Sequence, residues 1–218
     1  MAGRVNILAL DTSTQACTAA LLLEGDHAEP VIHTQHHIAP MQHTQLILGM
    51  IDTLLSEAGL TLNQLTAVAI GVGPGSFTGT RLGVSVAQGL GFAHGLPLVP
   101  VSSMQALALT AFMEQGYRQV LVSLDARSGQ MMWAGYHITE AGEVDCVIPE
   151  QLTDVGAAIW PENEQWVGVG DGWKLGHGPD ILITDIYPSG IAVAKLGLAH
   201  FRAGVHCLPA DLEPHYLR

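Results

Sequence analysis

The sequence predicts an α/β protein that is divided into two subdomains. Three observations lead to this prediction. Over residues 1–102, apolar runs of strand length alternate with longer runs of helical spacing, in the order β-β-β-α-β-α-β. A second mixed set of strands and a helix follows from residue 120 onward. The acidic residues are also divided unequally, with six in residues 1–102 and fourteen after them.

Polar turns separate the strand-like runs of the first part. These runs lie at residues 5–10, 16–23, 30–36, 65–72 and 96–101. Residues 43–58 have helical spacing instead, because Leu46, Met50 and Leu54 fall four residues apart. The second helix, at residues 82–94, is apolar nearly all round and contains three glycines. Each glycine costs a helix interior about 1 kcal/mol, so this composition predicts close backbone packing against another element.

The second part begins near residue 103, at the start of a helix that Ser102 and Ser103 can cap and that ends near residue 115. Its predicted strands lie at residues 120–124 and 131–138, and a helical pattern returns at 191–203. Residues 140–188 are rich in glycine, proline and acids, and predict short strands at best, such as 165–169. We therefore predict subdomains at 1–102 and 103–218, in a duplicated ribonuclease-H-like architecture.

Composition excludes several classes of protein. The 218 residues are 48% hydrophobic, which is ample for a core and excludes disorder. A net charge of −12 argues against a free-standing nucleic-acid binder, because such proteins carry a basic patch. No apolar run reaches membrane-spanning length and no signal peptide is recognisable, so we expect a cytoplasmic protein that contacts no membrane. Only 13% of residues are charged, which predicts that a partner covers one apolar face.

Two segments have the composition of an anion or nucleotide site. The first, Asp11, Thr12 and Ser13, combines a carboxylate with hydroxyls at a strand end, but a plain turn closing a hairpin explains it better. The second is the glycine-rich stretch at 73–81, ahead of a helix, where an anion site and a structural turn are equally good interpretations. The candidate residues for weak ATP or ADP binding are Asp11, Thr12, Ser13, Gly73, Gly75 and Ser76. We expect no tightly bound cofactor.

The spacing of histidines and serines gives little support for a metal site or a nucleophilic residue. His33 and His37 are four residues apart on a strand, about 13 Å, which is too far to share one ion. Ser76 lies in Gly-Pro-Gly-Ser-Phe, which lacks the nucleophile-elbow pattern. We therefore predict neither a catalytic residue nor a metal ligand.

The two helices of the first part together carry more apolar surface than is needed to cover one side of a sheet. This excess predicts a face that associates with another protein. In the absence of another partner, the same face should form a homodimer, because a two-fold contact uses one patch twice. The residues predicted for this face are His43, Ile47, Met50, Ile51, Leu54, Val86 and Leu90.

Several motifs resemble the bacterial TsaB (YeaZ) family. The most specific is Gly-Pro-Gly-Ser-Phe-Thr-Gly-Thr-Arg-Leu-Gly at residues 73–83. The others are Ile-Leu-Ala-Leu-Asp-Thr-Ser-Thr at 7–14, His-Thr-Gln at 43–45, Val-Ser-Ser at 101–103 and Glu-Pro-His-Tyr-Leu-Arg at 213–218. The resemblance is dense over residues 5–127 and thin from 140 to 205.

The resemblance implies an actin-like (ASKHA) fold and a role in forming threonylcarbamoyladenosine in tRNA. It implies a non-catalytic scaffold and activator for a TsaD-like catalytic paralogue, working with a TsaE-like ATPase and meeting tRNA only through that complex. The paralogue's metal-binding His-x-x-x-His corresponds here to Ser103 and Leu107, neither of which can hold the metal. An active enzyme of the same fold, either metallopeptidase-like or an ATP-dependent phosphotransferase relying on Asp11, is the alternative.

Overall fold

The computed structural model describes residues 4–25, 29–161, 165–175 and 178–217. Arg218, the end of the C-terminal motif, lies outside these ranges. The strands are β1 Asn6–Asp11, β2 Ala16–Leu23, β3 Val31–Ile38, β4 Ala67–Gly71, β5 Leu98–Val101, β6 Gln119–Arg127, β7 Gln130–Ile138, β8 Val144–Asp154, β9 Val167–Val169 and β10 Ile181–Ile183. The α-helices are α1 His43–Ala58, α2 Phe77–His94, α3 Ser103–Gln115 and α4 Gly190–Arg202. None of the helices in these ranges has the length and apolarity to cross a membrane.

The ten strands form two five-stranded sheets with the same topology. The first sheet has the order β3-β2-β1-β4-β5, in which β1, β2 and β3 are antiparallel neighbours and β4 and β5 run parallel to β1. The second has the order β10-β9-β6-β7-β8, with β6 in the place of β1. This repeated order confirms the predicted duplicated, ribonuclease-H-like architecture of two subdomains.

The chain divides into two compact units that are not contiguous in sequence. The first contains residues 1–103 and 189–214, and the second contains 104–188 and 215–218. The prediction that all of 103–218 belongs to the second subdomain is therefore wrong for residues 189–214. The reason is tertiary: α4 packs against β1, β2 and β4 of the first sheet. A helical pattern specifies an apolar face but not the sheet that buries it.

The first unit has three layers. On one face of its sheet, α1 and α2 bury Ile47, Leu54 and Ala87 against the inward side chains of β1, β2 and β4. On the other face, α4 approaches so closely that a Cβ on Gly197 would come within 2.4 Å of the Ala69 Cβ. These two helical layers explain why the strand runs read as almost continuously apolar.

The second unit covers one face of its sheet with α3. Met104, Leu107, Ala108 and Ala111 of this helix form a core with β6, β7 and β9. On the opposite face, Trp133, Trp166 and Trp173 form a separate cluster with Leu121 and Met131.

Two elements differ from the sequence prediction. Strand β8 is eleven residues long, although residues 140–188 predicted only short strands. It is an edge strand whose register with β7 shifts twice, and Pro149 lies at one of the irregular positions, so the alternation that marks a strand is lost. Helix α2 begins at Phe77 rather than residue 82, because the Ser76 side chain caps it by accepting a hydrogen bond from Gly79 N.

Candidate functional site

The Asp11 carboxylate lies at the carboxyl end of β1 and is 1% exposed. Its Oδ1 accepts hydrogen bonds from Ser13 N at 2.8 Å and Ser13 Oγ at 2.7 Å. Its Oδ2 accepts from Ser103 Oγ at 2.7 Å. Both carboxylate oxygens are therefore occupied by groups of the same unit.

Ser103 extends this cluster to the glycine-rich loop. Its Oγ accepts a hydrogen bond from Gly73 N at 3.1 Å, and its own N–H donates to Gly73 O at 2.9 Å. Gly71 leaves no space beside them, since a Cβ there would lie 1.8 Å from Asp11 Oδ2. With these neighbours in place, the Asp11 carboxylate is almost completely shielded from solvent.

The loop at 73–79 packs directly on the tip of the β1–β2 hairpin. Ser76 N donates to Ser13 O at 2.6 Å, and Thr12 Oγ1 donates to Gly79 O at 2.7 Å. A Cβ on Gly79 would come within 2.0 Å of Thr12 O, so only glycine permits this approach. The glycines of this motif thus serve close packing at the positions where the hairpin touches the loop.

The structure brings the predicted nucleotide residues together but turns most of them inward. Asp11, Thr12 and Ser13 are buried, Gly75 is half-buried, and only Ser76 is exposed. Burial raises the pKa of Asp11 above its ordinary value of 3.8, and the hydrogen bonds from Ser13 and Ser103 oppose that rise. This geometry suits a structural carboxylate, and weak ATP or ADP binding stays a prediction.

The positions considered for metal binding serve other purposes. Ser103 is fully buried and bonded as described above, and Leu107 is fully buried in the core of the second unit. Within the described ranges, no group of three or more His, Cys, Asp or Glu side chains could hold a metal ion.

Five of the seven residues predicted for the association face are buried inside the first unit. Ile47, Met50, Ile51 and Leu54 belong to its core, and Met50 Sδ lies 3.7 Å from Cys17 Sγ. His43 is buried too, with its Nε2 3.2 Å from Ala16 O of β2. Their assignment to the surface is wrong, because the apolar stripe of α1 faces its own sheet. A charge at Met50 would therefore break the core rather than probe association.

A different set of residues forms the outward side of the same two helices. Val86 and Leu90 are half-buried at its border. The large apolar side chains of this surface are Leu48, exposed by 59%, Phe77, by 57%, and Phe92, by 65%. We call this surface the helix face; the exposed residues of the two helices are Thr44, Gln45, Leu48, Gly49, Asp52, Thr53, Ser56, Glu57, Phe77, Thr78, Arg81, Ser85, Gly89, Phe92 and Ala93.

Two glycines within the helix face have no packing role among the described residues. Gly83 and Gly91 lie against neighbours, since a Cβ would come within 2.6 Å of Thr12 Oγ1 or 2.7 Å of Pro209 Cγ respectively. At Gly49 and Gly89, by contrast, a Cβ would meet nothing within 4 Å. The prediction of close backbone packing is thus met inside the molecule for Gly83 and Gly91, two of the three glycines in residues 82–94. Sequence reasoning passed over Gly49, although a glycine in the middle of a helical pattern was the available signal.

Two units with the repeated strand order 3-2-1-4-5 define the actin-like ASKHA class of α/β proteins. Residues 30–206 match the family model described as TsaD: tRNA N6-adenosine threonylcarbamoyltransferase. The chain is 33% identical to the tRNA threonylcarbamoyladenosine biosynthesis protein TsaB of Escherichia coli, over 98% of this chain and 95% of that protein. It is 34% identical to the TsaB of Haemophilus influenzae, over 98% and 94%. The chain belongs to the TsaB family.

A solved structure supports the fold independently. YeaZ from Pseudomonas aeruginosa superposes with a TM-score of 0.90 at 33% identity, covering 98% of this chain and all of that one. A second structure with the same values is described as an uncharacterized protein with similarity to peptidase YEAZ, also from Pseudomonas aeruginosa. The match extends through residues 140–205, where the sequence motifs are sparse.

Proposed function

We propose that this protein is a non-catalytic partner subunit in the formation of threonylcarbamoyladenosine in tRNA. In this role it binds a TsaD-like catalytic subunit and activates the transfer of threonylcarbamoyl from its adenylate to the tRNA adenosine. A TsaE-like ATPase completes the set of partners. The names of the TsaB relatives support the pathway. The observation that carries the partner role is the helix face, with its two unpacked glycines.

The helix face has the composition of an interface between helices. A helix interior loses about 1 kcal/mol at each glycine relative to alanine, and nothing in the described chain compensates for this at Gly49 and Gly89. Close approach of a second backbone does compensate, because small residues let helices approach each other. Exposed Leu48, Phe77 and Phe92 supply apolar area around the two glycines. With no other partner present, two copies of this face associate with each other.

The cluster around Asp11 supports the non-catalytic role. A phosphotransferase relying on Asp11 would have to present this carboxylate to its substrate, whereas Asp11 is 1% exposed and both of its oxygens accept hydrogen bonds from Ser13 and Ser103. The net charge of −12 leaves the binding of tRNA mainly to the catalytic subunit. Activation then follows from binding one conformation of that subunit more tightly than the others.

Reconstitution tests the proposal. Purified TsaD-like and TsaE-like proteins of the same organism are incubated with tRNA, ATP and the components that generate threonylcarbamoyl-adenylate, with or without this protein, and the tRNA nucleosides are analysed. We expect modified adenosine only when all the proteins are present. Full modification without this protein would refute the activator role. Modification by this protein alone would refute the non-catalytic role.

A matched pair of variants assigns the activity to the helix face. Gly89→Arg places a charge in this face, and Ala203→Arg places the same charge at an exposed position after α4, on the other side of the first sheet. We expect Gly89→Arg to lose both binding and activation, and Ala203→Arg to retain both. Equal activation by the two variants would show that the partner binds elsewhere.

A further inference from the structure

Strand β3 is the edge of the first sheet, and one of its long sides is open. It pairs with β2, and no strand among the described residues pairs with its outer side. It is eight residues long and largely exposed, with Val31 and Ile38 exposed by 49% and 52%. An open edge of this length presents a row of unpaired backbone donors and acceptors to another strand.

Two devices that usually protect a sheet edge are missing from β3, namely a charged or proline residue and a bulge. The strand contains no lysine, arginine, aspartate, glutamate or proline. Its register with β2 runs without a bulge from Ala16↔Ile38 to Leu23↔Val31. In a chain of net charge −12, a strand without acidic residues is also a place where two copies meet without direct repulsion.

The outer backbone groups of β3 belong to alternate residues. Ala39 N donates to Gln15 O at 3.1 Å, one step beyond the Ala16↔Ile38 pair. Since the bonds of an antiparallel ladder alternate, odd-numbered residues of β3 bond to β2 and even-numbered residues direct their N–H and C=O outward. The outward-facing residues are Ile32, Thr34, His36 and Ile38.

The sequence of the strand is nearly symmetric about Gln35. Residues 32–38 read Ile-His-Thr-Gln-His-His-Ile, which is almost unchanged when reversed. A two-fold axis perpendicular to the sheet leaves each side chain on the same side of the sheet in both copies. Because opposed residues of an antiparallel pair also point to the same side, the central residue must lie opposite its own copy. With Gln35 at the centre, the opposed pairs are Ile32 with Ile38, His33 with His37, Thr34 with His36, and Gln35 with Gln35.

We propose that β3 is a self-association edge, on which a second copy of this chain adds its own β3 antiparallel and in register about Gln35. The two five-stranded sheets then become one continuous ten-stranded sheet. Each outward-facing residue exchanges two backbone hydrogen bonds with the residue opposite. An apolar pair of Ile32 and Ile38 lies at each end of the contact, and the two Gln35 side chains lie opposite each other at its centre. This surface is separate from the helix face and goes beyond the proposed function.

Disulfide trapping tests the register directly. Gln35 lies opposite its copy in a position without ladder bonds, where Cα atoms are about 4.5 Å apart and a disulfide fits. In a Cys146→Ser background, which removes the exposed native thiol, we expect Gln35→Cys to run as a covalent dimer on a non-reducing denaturing gel after mild oxidation. Ile38→Cys is the matched control on the same strand, because it lies about 20 Å from its own copy in this register and should stay monomeric.

A charge swap provides a second readout that does not depend on oxidation. Gln35→Lys and Gln35→Glu each place like charges opposite each other, so each alone should fail to pair, whereas their mixture should pair again. Sedimentation is run in the Gly89→Arg background, so that the helix face does not contribute, and at pH 8, above the ordinary histidine pKa of about 6.5.

The outcomes decide the proposal independently of the proposed function. Cross-linking of Gln35→Cys without that of Ile38→Cys, together with rescue by the charge-swapped mixture, supports it. Equal cross-linking at both positions, a monomer throughout, or cross-linking of Gln35→Cys to a different protein would overturn it. None of these results depends on whether the helix face binds a catalytic partner.

Discussion

Replacing Gly89 with alanine separates the two effects that a glycine has on the helix face. Gly89 lies well inside α2, and an added Cβ would meet no described residue of the chain within 4 Å. For the monomer, at protein concentrations too low for self-association, the change removes only the entropic cost of glycine, about 1 kcal/mol. In a chain of this size, that gain raises Tm by about 2–4 °C.

The same methyl group acts in the opposite direction at an interface. If a partner helix approaches the backbone at Gly89, the added carbon overpacks the contact, and overpacking costs about 1–3 kcal/mol. A cost in the middle of that range weakens binding roughly tenfold or more. We therefore expect Gly89→Ala to be more stable than the wild type in thermal unfolding, yet weaker in self-association and in binding the TsaD-like subunit by sedimentation and calorimetry.

Gly91→Ala is the control on the same helix. Its Cβ would come within 2.7 Å of the Pro209 ring and 3.1 Å of the Leu96 carbonyl oxygen, so this variant should lose stability. A Gly89→Ala protein that gains stability and binds with unchanged affinity would show that no partner backbone approaches this glycine. The reasoning about the helix face would then be refuted.

Two further predictions concern buried groups of the first unit. Because burial raises the pKa of Asp11 in the folded protein, ionising this carboxyl group above pH 3.8 destabilises the fold. The stability of Asp11→Asn relative to the wild type should therefore increase with pH when both are measured by urea unfolding. A stability difference that is constant with pH would contradict this. Burial raises the pKa of Cys17 to about 11, which leaves about one thiolate in a thousand at pH 8. Mass spectrometry after alkylation at pH 8 should find Cys146 modified in the folded protein and Cys17 only after denaturation, and rapid labelling of folded Cys17 would be inconsistent with its burial.

Local chemistry in the sequence was enough to predict most elements of the fold. The spacing of Leu46, Met50 and Leu54 predicted α1, and the polar turn at Asp11 predicted the hairpin of β1 and β2, because both signals lie within a few residues. The order of these elements then predicted a duplicated fold, since few topologies connect them with short crossovers. Strand β8 escaped prediction because its irregular pairing with β7 removes the alternation along the chain.

The sequence also predicted residues that lie together in the candidate site, but it did not predict that most of them are buried. It associated Asp11 with Ser13 through a local turn, but it could not reveal the bond from Ser103 Oγ, which is 92 residues away. That long-range bond gives the second carboxylate oxygen a partner inside the first unit.

Only the tertiary structure decided which sides of the helices are free. The apolar stripe of α1 predicted burial correctly, but a sheet and a partner protein bury the same kinds of side chain. The sheet covers Ile47 and Met50 of α1. Gly49 and Gly89 mark the helix surface that stays uncovered, and the empty space beside them can be seen only in the folded structure. The same holds for α4, which belongs to the first unit because that unit's sheet has a second apolar face to cover.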